Sequence, residues 1–403
     1  MYRVSPFLRN FGWSLLAGAA LATLWVNLFP ASYYDAIEFR LADLPLPRWV
    51  SPIPISLTPM DLTSDLLMSL FLFVVGKELW EALVLQRGAL RGPRTGVPLL
   101  AMLGGLIGAA LVWLVLTALF QTAEEAQPFG GWPVPLGSDV VLAWLVGRMV
   151  FGANHPALHM LLTMTVGADI IALLLLGVAY PGGALRLLWL ALPILACLAA
   201  WALVGRNPGR HASERRVQRA MHLWPYALAG VVSWIGVAAS GLPPALGLLP
   251  ILPAIPHADR AFGLFAQAEE YLTDPLNRLT HLMVRAVPVV LFLFGLTRGG
   301  VDLAALSPTT GILLGALWIG KPLGILLGGL VVARLLHRRL PPGVRPRDVM
   351  AIAVISGMGF TVPLLALERA LPGGAMQEAA RLGLALSLLA GPLAMLLPRR
   401  RRR

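Results

Sequence analysis

Apolar residues run along this chain in long blocks separated by short polar intervals. About 20 consecutive apolar residues are needed to cross a hydrocarbon core about 30 Å thick. On that rule the blocks predict twelve membrane spans, approximately 11–30, 65–84, 96–120, 134–150, 157–180, 185–204, 224–240, 242–256, 279–297, 309–333, 349–368 and 380–397. Spans four and eight are short for continuous helices, and span eight carries Pro243, Pro244, Pro250, Pro253 and Pro256, so counts of ten or eleven stay open. The first block leads through Asn27 to Pro30 into an amphipathic stretch with no small-residue cleavage site, and reads as a retained span rather than a signal peptide. Polar intervals reach only about 30 residues. A single transmembrane domain over 1–403 is therefore expected, with its function inside the membrane.

Composition agrees. Apolar residues make up 57% of the 403 and charged residues 13%, about half the charge with which a globular domain dresses its surface. The class is all-α and polytopic. Disorder is excluded by the apolar content, and a disulfide scaffold by the single cysteine, Cys197, which reads as a small apolar residue within a span. A net charge of +12 could suggest nucleic acid, yet the basic residues are all arginine save Lys77 and Lys321, and they cluster between apolar blocks rather than on one basic domain. Topology accounts for them, because short cytoplasmic loops carry the positive excess. One side collects Arg3 and Arg9, Arg87 to Arg94, Arg206 to Arg219, Arg334 to Arg347 and the tail Arg399 to Arg403; the other holds scattered arginines and the acidic Glu124 and Glu125. With an even span count both termini are expected in the cytoplasm. The arginine tail reads as a lipid-facing cluster worth about 1 kcal/mol per residue near an anionic surface.

Three charges interrupt apolar runs: Asp139 in span four, Asp169 near the centre of span five and Lys321 near the centre of span ten. At about 2.5–3.5 kcal/mol apiece on insertion they cost on the order of 8–10 kcal/mol together, comparable with the stability of a typical domain. Groups that expensive face a cavity, neutralise one another or do work; a structural ion pair is the plainer alternative, although it needs only two of them. Proline and glycine break the helix nearby. Pro133, Pro135 and Gly137 precede Ser138 and Asp139, and span eleven contains Ser356-Gly357-Met358-Gly359-Phe360-Thr361-Val362-Pro363. Unwound backbone at membrane depth exposes carbonyls and amides, tolerable only beside a cavity, and offers oxygens to a cation. Two ordinary proline kinks are the alternative.

At these residues the sequence resembles the bacterial NhaA family of sodium/proton antiporters along nearly its whole length. Asp65-Leu66-Leu67-Met68 and Val75-Gly76-Lys77-Glu78 are similar to the family's second-helix motif, and Gly137-Ser138-Asp139 to its Ala-Thr-Asp. Asp169 stands as the second member of its Asp-Asp pair, Gly320-Lys321-Pro322-Leu323-Gly324-Ile325 matches the tenth-helix motif, and Gly357-Met358-Gly359-Phe360-Thr361 resembles Gly-Ile-Gly-Phe-Thr of helix eleven. The resemblance implies about twelve transmembrane helices in inverted repeats with crossed, broken helices four and eleven, a fold for which this family is itself a standard example. It implies exchange of sodium or lithium for protons by alternating access, in pH and sodium homeostasis at a bacterial inner membrane. Asp169 would bind sodium in competition with protons, Asp139 and Ser138 would hold the broken helices, and Lys321 would compensate charge. Gly137, Gly357, Gly359 and Thr361 would supply the broken-helix backbone. Glu78 would sit at the cytoplasmic mouth, and His257 and Asp259 fall where the family has groups linked to pH response. No cofactor is expected beyond the ion as substrate; lipids are expected partners, nucleic acid is not, and a homodimer is compatible with the reading.

Departures from the family pattern matter to the chemistry. Its first paired aspartate is Ala168, its threonine is Ser138, Pro363 replaces a serine and Pro243-Pro244 replaces His-Ala. Around Lys77 the family's basic residue is shifted by about one turn, and the plainer reading there is a Lys77–Glu81 pair on one helix face. With one carboxylate, exchange reduces to competition of proton and sodium for Asp169; at most one proton can come from Asp169 and one from Lys321, so weaker or more nearly electroneutral exchange is expected. Another substrate, such as an organic anion, or no transport at all, stays open. An intramembrane aspartyl protease using Asp139 and Asp169 would need a Gly-x-Gly-Asp signature that neither stretch has. His155 and His159, four residues apart at a span entrance, read as interfacial rather than as a metal pair.

Overall fold

A computed structural model describes residues 6–44, 55–84, 96–120, 130–152, 155–205, 221–256 and 275–396. Apart from a two-stranded antiparallel ribbon pairing Ala42–Leu44 with Ile55–Leu57, the regular structure of these residues is helical. Nine of their helices are long and apolar enough to cross a membrane: Asn10–Leu28, Pro59–Glu81, Gly96–Phe120, Val134–Phe151, Pro156–Ala179, Leu187–Gly205, Pro275–Arg298, Pro308–Leu335 and Ala375–Leu396. The protein is thus a multi-pass membrane protein.

Differences from the expected spans have local causes. The second helix begins at Pro59 rather than near 65, because Thr58 accepts the Asp61 amide at 3.1 Å and Pro59 takes the first helical position, where its missing donor costs nothing. Expected span seven is the shorter helix Trp224–Ser240. Span eight is two 3-10 turns, Pro244–Leu246 and Leu249–Ala254, as its prolines dictate. Span eleven is the pair of half-helices Pro346–Ile355 and Thr361–Ala370. These three segments separate a count of nine crossings from one of twelve.

The chain forms two compact units. The first comprises Arg3–Gly88 and Leu176–Gly300. In it the helices Pro6–Leu28 and Pro275–Arg298 approach backbone to backbone, Gly18 facing the carbonyl of Phe292 and Gly295 that of Leu15, as small residues permit where no hydrophobic force drives helices together. Tyr33 donates to Leu296 O at 3.1 Å beside them.

The second unit comprises Ala89–Leu175 and Val301–Arg403. Here Gly96–Phe120 lies along Pro308–Leu335, with Gly104 and Gly108 against Gly324 and Gly320. A side chain at any of the four would meet backbone, so the glycines set how closely the Lys321 helix can be held. The opposite side of Gly96–Phe120 exposes Leu99, Leu103, Ile107, Leu111 and Val115, a four-residue repeat suited to lipid rather than water.

Candidate functional site

The three intramembrane charges and both interrupted segments fall in the second unit. Asp139 is fully buried, and Asp169 and Lys321 are each 2% exposed.

Span four enters as a 3-10 turn, Val134–Leu136, runs extended through 137–139 and becomes helical at Val140–Phe151. Pro133 and Pro135 bring no amides to a helical ladder, and Gly137 then turns extended at φ −66° and ψ 162°. Asp139 is the N-cap of the helix that follows, its Oδ1 accepting the Leu142 amide at 2.7 Å. Span eleven unwinds at 356–360. The Asp139 amide donates to Met358 O at 3.1 Å, and Asp139 Oδ2 accepts the amide of Thr361, which starts the second half-helix, at 3.2 Å. One carboxylate therefore serves the N-termini of two helices, each with orphan amides and a positive dipole end. Gly137 sits so close to Val362 and Pro363 that a Cβ would lie 2.7 Å from Val362 Cγ1 and 2.9 Å from Pro363 Cδ. Pro363 thus packs against Gly137.

Asp169, in the helix Pro156–Ala179, accepts the Ser138 amide on Oδ1 at 2.6 Å. The Ser138 hydroxyl donates to Ser356 O at 3.4 Å, a weak tie between the two interruptions. Lys321 follows a π-helical turn, Ala316–Gly320, and its ammonium donates to Pro135 O at 3.3 Å, Leu136 O at 2.9 Å and Gly137 O. Those are three acceptors for three N–H groups. Asp169 acts on Lys321 through its charge. Ala168, next to Asp169 in the chain, is buried, and the Lys321 ammonium rests on the freed carbonyls of the broken helix.

Of the expected site residues, the geometry thus brings together Asp139, Ser138, Asp169, Lys321, Gly137 and Thr361. Gly357 and Gly359 lie in the span-eleven interruption, where a Cβ on Gly357 would come within 2.8 Å of Leu317 O. Glu78 is in the first unit, where Lys77 Nζ lies 3.7 Å from Glu78 Oε1 and 3.3 Å from Glu81 Oε1. The pair offered by the four-residue spacing is formed. His257 and Asp259 lie outside the described residues. Sequence reasoning missed the carbonyls of Pro135, Leu136 and Met358 as specific partners; the prolines at 133 and 135 were the available signal that carbonyls there would be freed.

A carboxylate, a hydroxyl and peptide carbonyls are hard oxygen donors, matched to a hard cation. Buried charge beside unwound backbone in a multi-pass helical protein defines a membrane ion transporter of the broken-helix kind. The family model Na+/H+ antiporter 1 matches residues 9–397, and the chain belongs to that family. It is 38% identical over 408 residues to the Na(+)/H(+) antiporter NhaA of Jannaschia sp. (strain CCS1), covering 98% of this chain and 97% of that protein. It is 35% identical over 396 residues to Na(+)/H(+) antiporter NhaA 2 of Pelobacter propionicus, covering 97% and 96%. Among solved structures, the sodium proton antiporter MjNhaP1 from Methanocaldococcus jannaschii matches at 13% identity with a TM-score of 0.49 over 97% of this chain and 95% of that one. At that score the likeness adds nothing to the assignment.

Proposed function

We propose that the chain is a secondary active transporter, not an enzyme, that exchanges sodium for protons, with Asp169 as the group both ions contend for. The observation that carries the reading is the neighbourhood of Asp169: a buried carboxylate beside the broken-helix backbone, held by the Ser138 amide, with the Lys321 ammonium acting on it. A proton neutralises that carboxylate covalently, and sodium neutralises it with help from nearby oxygens; one excludes the other. Asp139 and Ser138 hold the interruptions in register, and Lys321 supplies the balancing charge. Lithium is expected as an alternative cargo because its donor chemistry is the same, and no cofactor is needed. The whole chain acts as one transporter domain in the bacterial inner membrane with both termini cytoplasmic, as the arginine clusters imply. Glu78 then lies toward the cytoplasmic mouth. Lipid contact and a homodimer belong to the same reading.

With Ala168 in place of a second carboxylate, fewer protons per sodium are expected than in a two-aspartate relative. The test is sodium-dependent collapse of a pH gradient in everted vesicles, expected for the wild-type chain and lost in Asp169→Asn. Robust exchange at two protons per sodium that survives Lys321→Ala would overturn the single-carboxylate mechanism. Ala168 also favours a second reading, a relative with another cargo such as an organic anion or with none; wild-type vesicles that ignore sodium would establish it.

A further inference from the structure

The interruption at 356–360 is gripped by a residue that neither the sequence pattern nor the site chemistry singles out. Ser387 ends the helix Ala375–Ser387 and is fully buried. Its hydroxyl oxygen accepts the Gly359 amide at 3.0 Å. The hydroxyl hydrogen has Leu384 O at 2.6 Å and Gly359 O at 3.1 Å within reach. A helical serine commonly satisfies itself on the preceding turn; here that bond to Leu384 orients the hydroxyl so that its oxygen faces Gly359. The main-chain carbonyl of the same residue accepts the Trp318 indole N–H at 3.2 Å. Trp318 lies in the π-helical turn Ala316–Gly320 that leads directly into Lys321.

Gly359 is flanked by the two groups that grip Asp139: Met358, whose carbonyl takes the Asp139 amide, and, two residues on, Thr361, whose amide reaches the Asp139 carboxylate. Glycine has the widest backbone freedom of any residue, and at membrane depth no water would satisfy its amide. Without an external anchor this stretch has several conformations open to it and one that serves Asp139. We propose that Ser387 is a positioning residue of the exchange site: its hydroxyl fixes Gly359 so that Met358 O and Thr361 N both face Asp139, keeping the Ser138 amide on Asp169. Through its carbonyl the same residue ties the interruption to the helix that bears Lys321. The inference rests on the sodium/proton exchange reading above.

The test compares sodium-dependent proton flux in everted vesicles for wild type, Ser387→Ala and the control Thr310→Val. Thr310 also sends a buried hydroxyl bond across to the helix of Ser387, to Ala379 O at 2.8 Å, but does not touch the interruption. Ser387→Ala leaves the Gly359 amide without its acceptor and is expected to raise the apparent sodium KM on the order of tenfold while Vmax stays within about twofold. Thr310→Val is expected to keep the wild-type KM. Should the alanine variant fail to accumulate in the membrane, Ser387→Cys, of similar size but a weak acceptor, carries the same measurement with the same expectation. An unchanged KM in a well-inserted Ser387 variant, or an equal rise in Thr310→Val, overturns the proposal and leaves the exchange reading intact. Wild-type vesicles without sodium-dependent flux would overturn both.

Discussion

Asp139 and Thr361 stand 222 residues apart in the chain and are joined by a hydrogen bond of 3.2 Å from the Thr361 amide to the Asp139 carboxylate. The other oxygen of that carboxylate holds Leu142 at 2.7 Å. Two helices that begin at membrane depth, where water cannot supply acceptors, therefore share one side chain as their cap. Both oxygens of Asp139 are thus engaged in holding the interruption, consistent with the proposal that Asp169 is the carboxylate at which ions exchange.

Asp139→Ala removes the acceptor for two buried amides, and at about 1–2 kcal/mol each it should cost roughly 2–4 kcal/mol of stability. Thermal unfolding in detergent is expected to show a clear fall in Tm for alanine and a smaller one for Asp139→Asn, which keeps one acceptor oxygen. Equal, negligible effects in both would mean that the amides find other partners.

Asp169→Asn should leave Tm near the wild-type value, because the amide oxygen can still accept from Ser138, and should abolish sodium-driven proton flux. Under the proposed mechanism, proton and sodium contend for one carboxylate in the wild type. Raising pH withdraws the competitor, so the apparent sodium KM must fall as pH rises and level off once the carboxylate is fully deprotonated. A sodium KM independent of pH would contradict competition at this group.

Ala168→Asp places a second carboxylate beside Asp169. It is expected to draw the Lys321 ammonium from the carbonyls of Pro135, Leu136 and Gly137 and to raise the number of protons moved per sodium, read as a larger sodium-driven current in proteoliposomes. Lys321→Ala in the native background strips those carbonyls of their donor and is expected both to lower Tm and to suppress exchange. Full activity of Lys321→Ala would detach the lysine from the mechanism.

In the first unit, Lys77 is fully buried between Glu78 and Glu81. Breaking a buried pair from one side is costly, so Lys77→Ala should destabilise by about 3–5 kcal/mol, whereas the double replacement Lys77→Met with Glu81→Leu, which removes both members, should cost far less. Tm values for the wild type and the two variants decide it; a double variant as damaged as Lys77→Ala would mean the pair does more than balance charge.

Much of this is legible in the sequence. Long apolar blocks translate directly into helices because a bilayer leaves the backbone no other way to satisfy itself, and a charge inside such a block announces itself by its cost. Asp139, Asp169 and Lys321 stood out for that reason, and Pro133, Pro135, Gly137, Gly357 and Gly359 marked the breaks because each changes the backbone it belongs to. Lys77 and Glu81 could be paired from their spacing on one helix. Spans four and eight read as short for continuous helices; span four is a 3-10 turn followed by a helix and span eight is two 3-10 turns.

The sequence determined by itself which residues were too costly to be idle and where the helices had to break, since both follow from local chemistry. Tertiary structure alone decided which partners those residues found. Lys321 rests on carbonyls 184 to 186 residues away, Asp139 caps Thr361, and Ser387 holds Gly359 from another helix. A hydrogen bond depends on position to a few tenths of an ångström. Such positions are set by the packing of whole helices, and here in part by glycines such as Gly104 and Gly324 that let backbones touch.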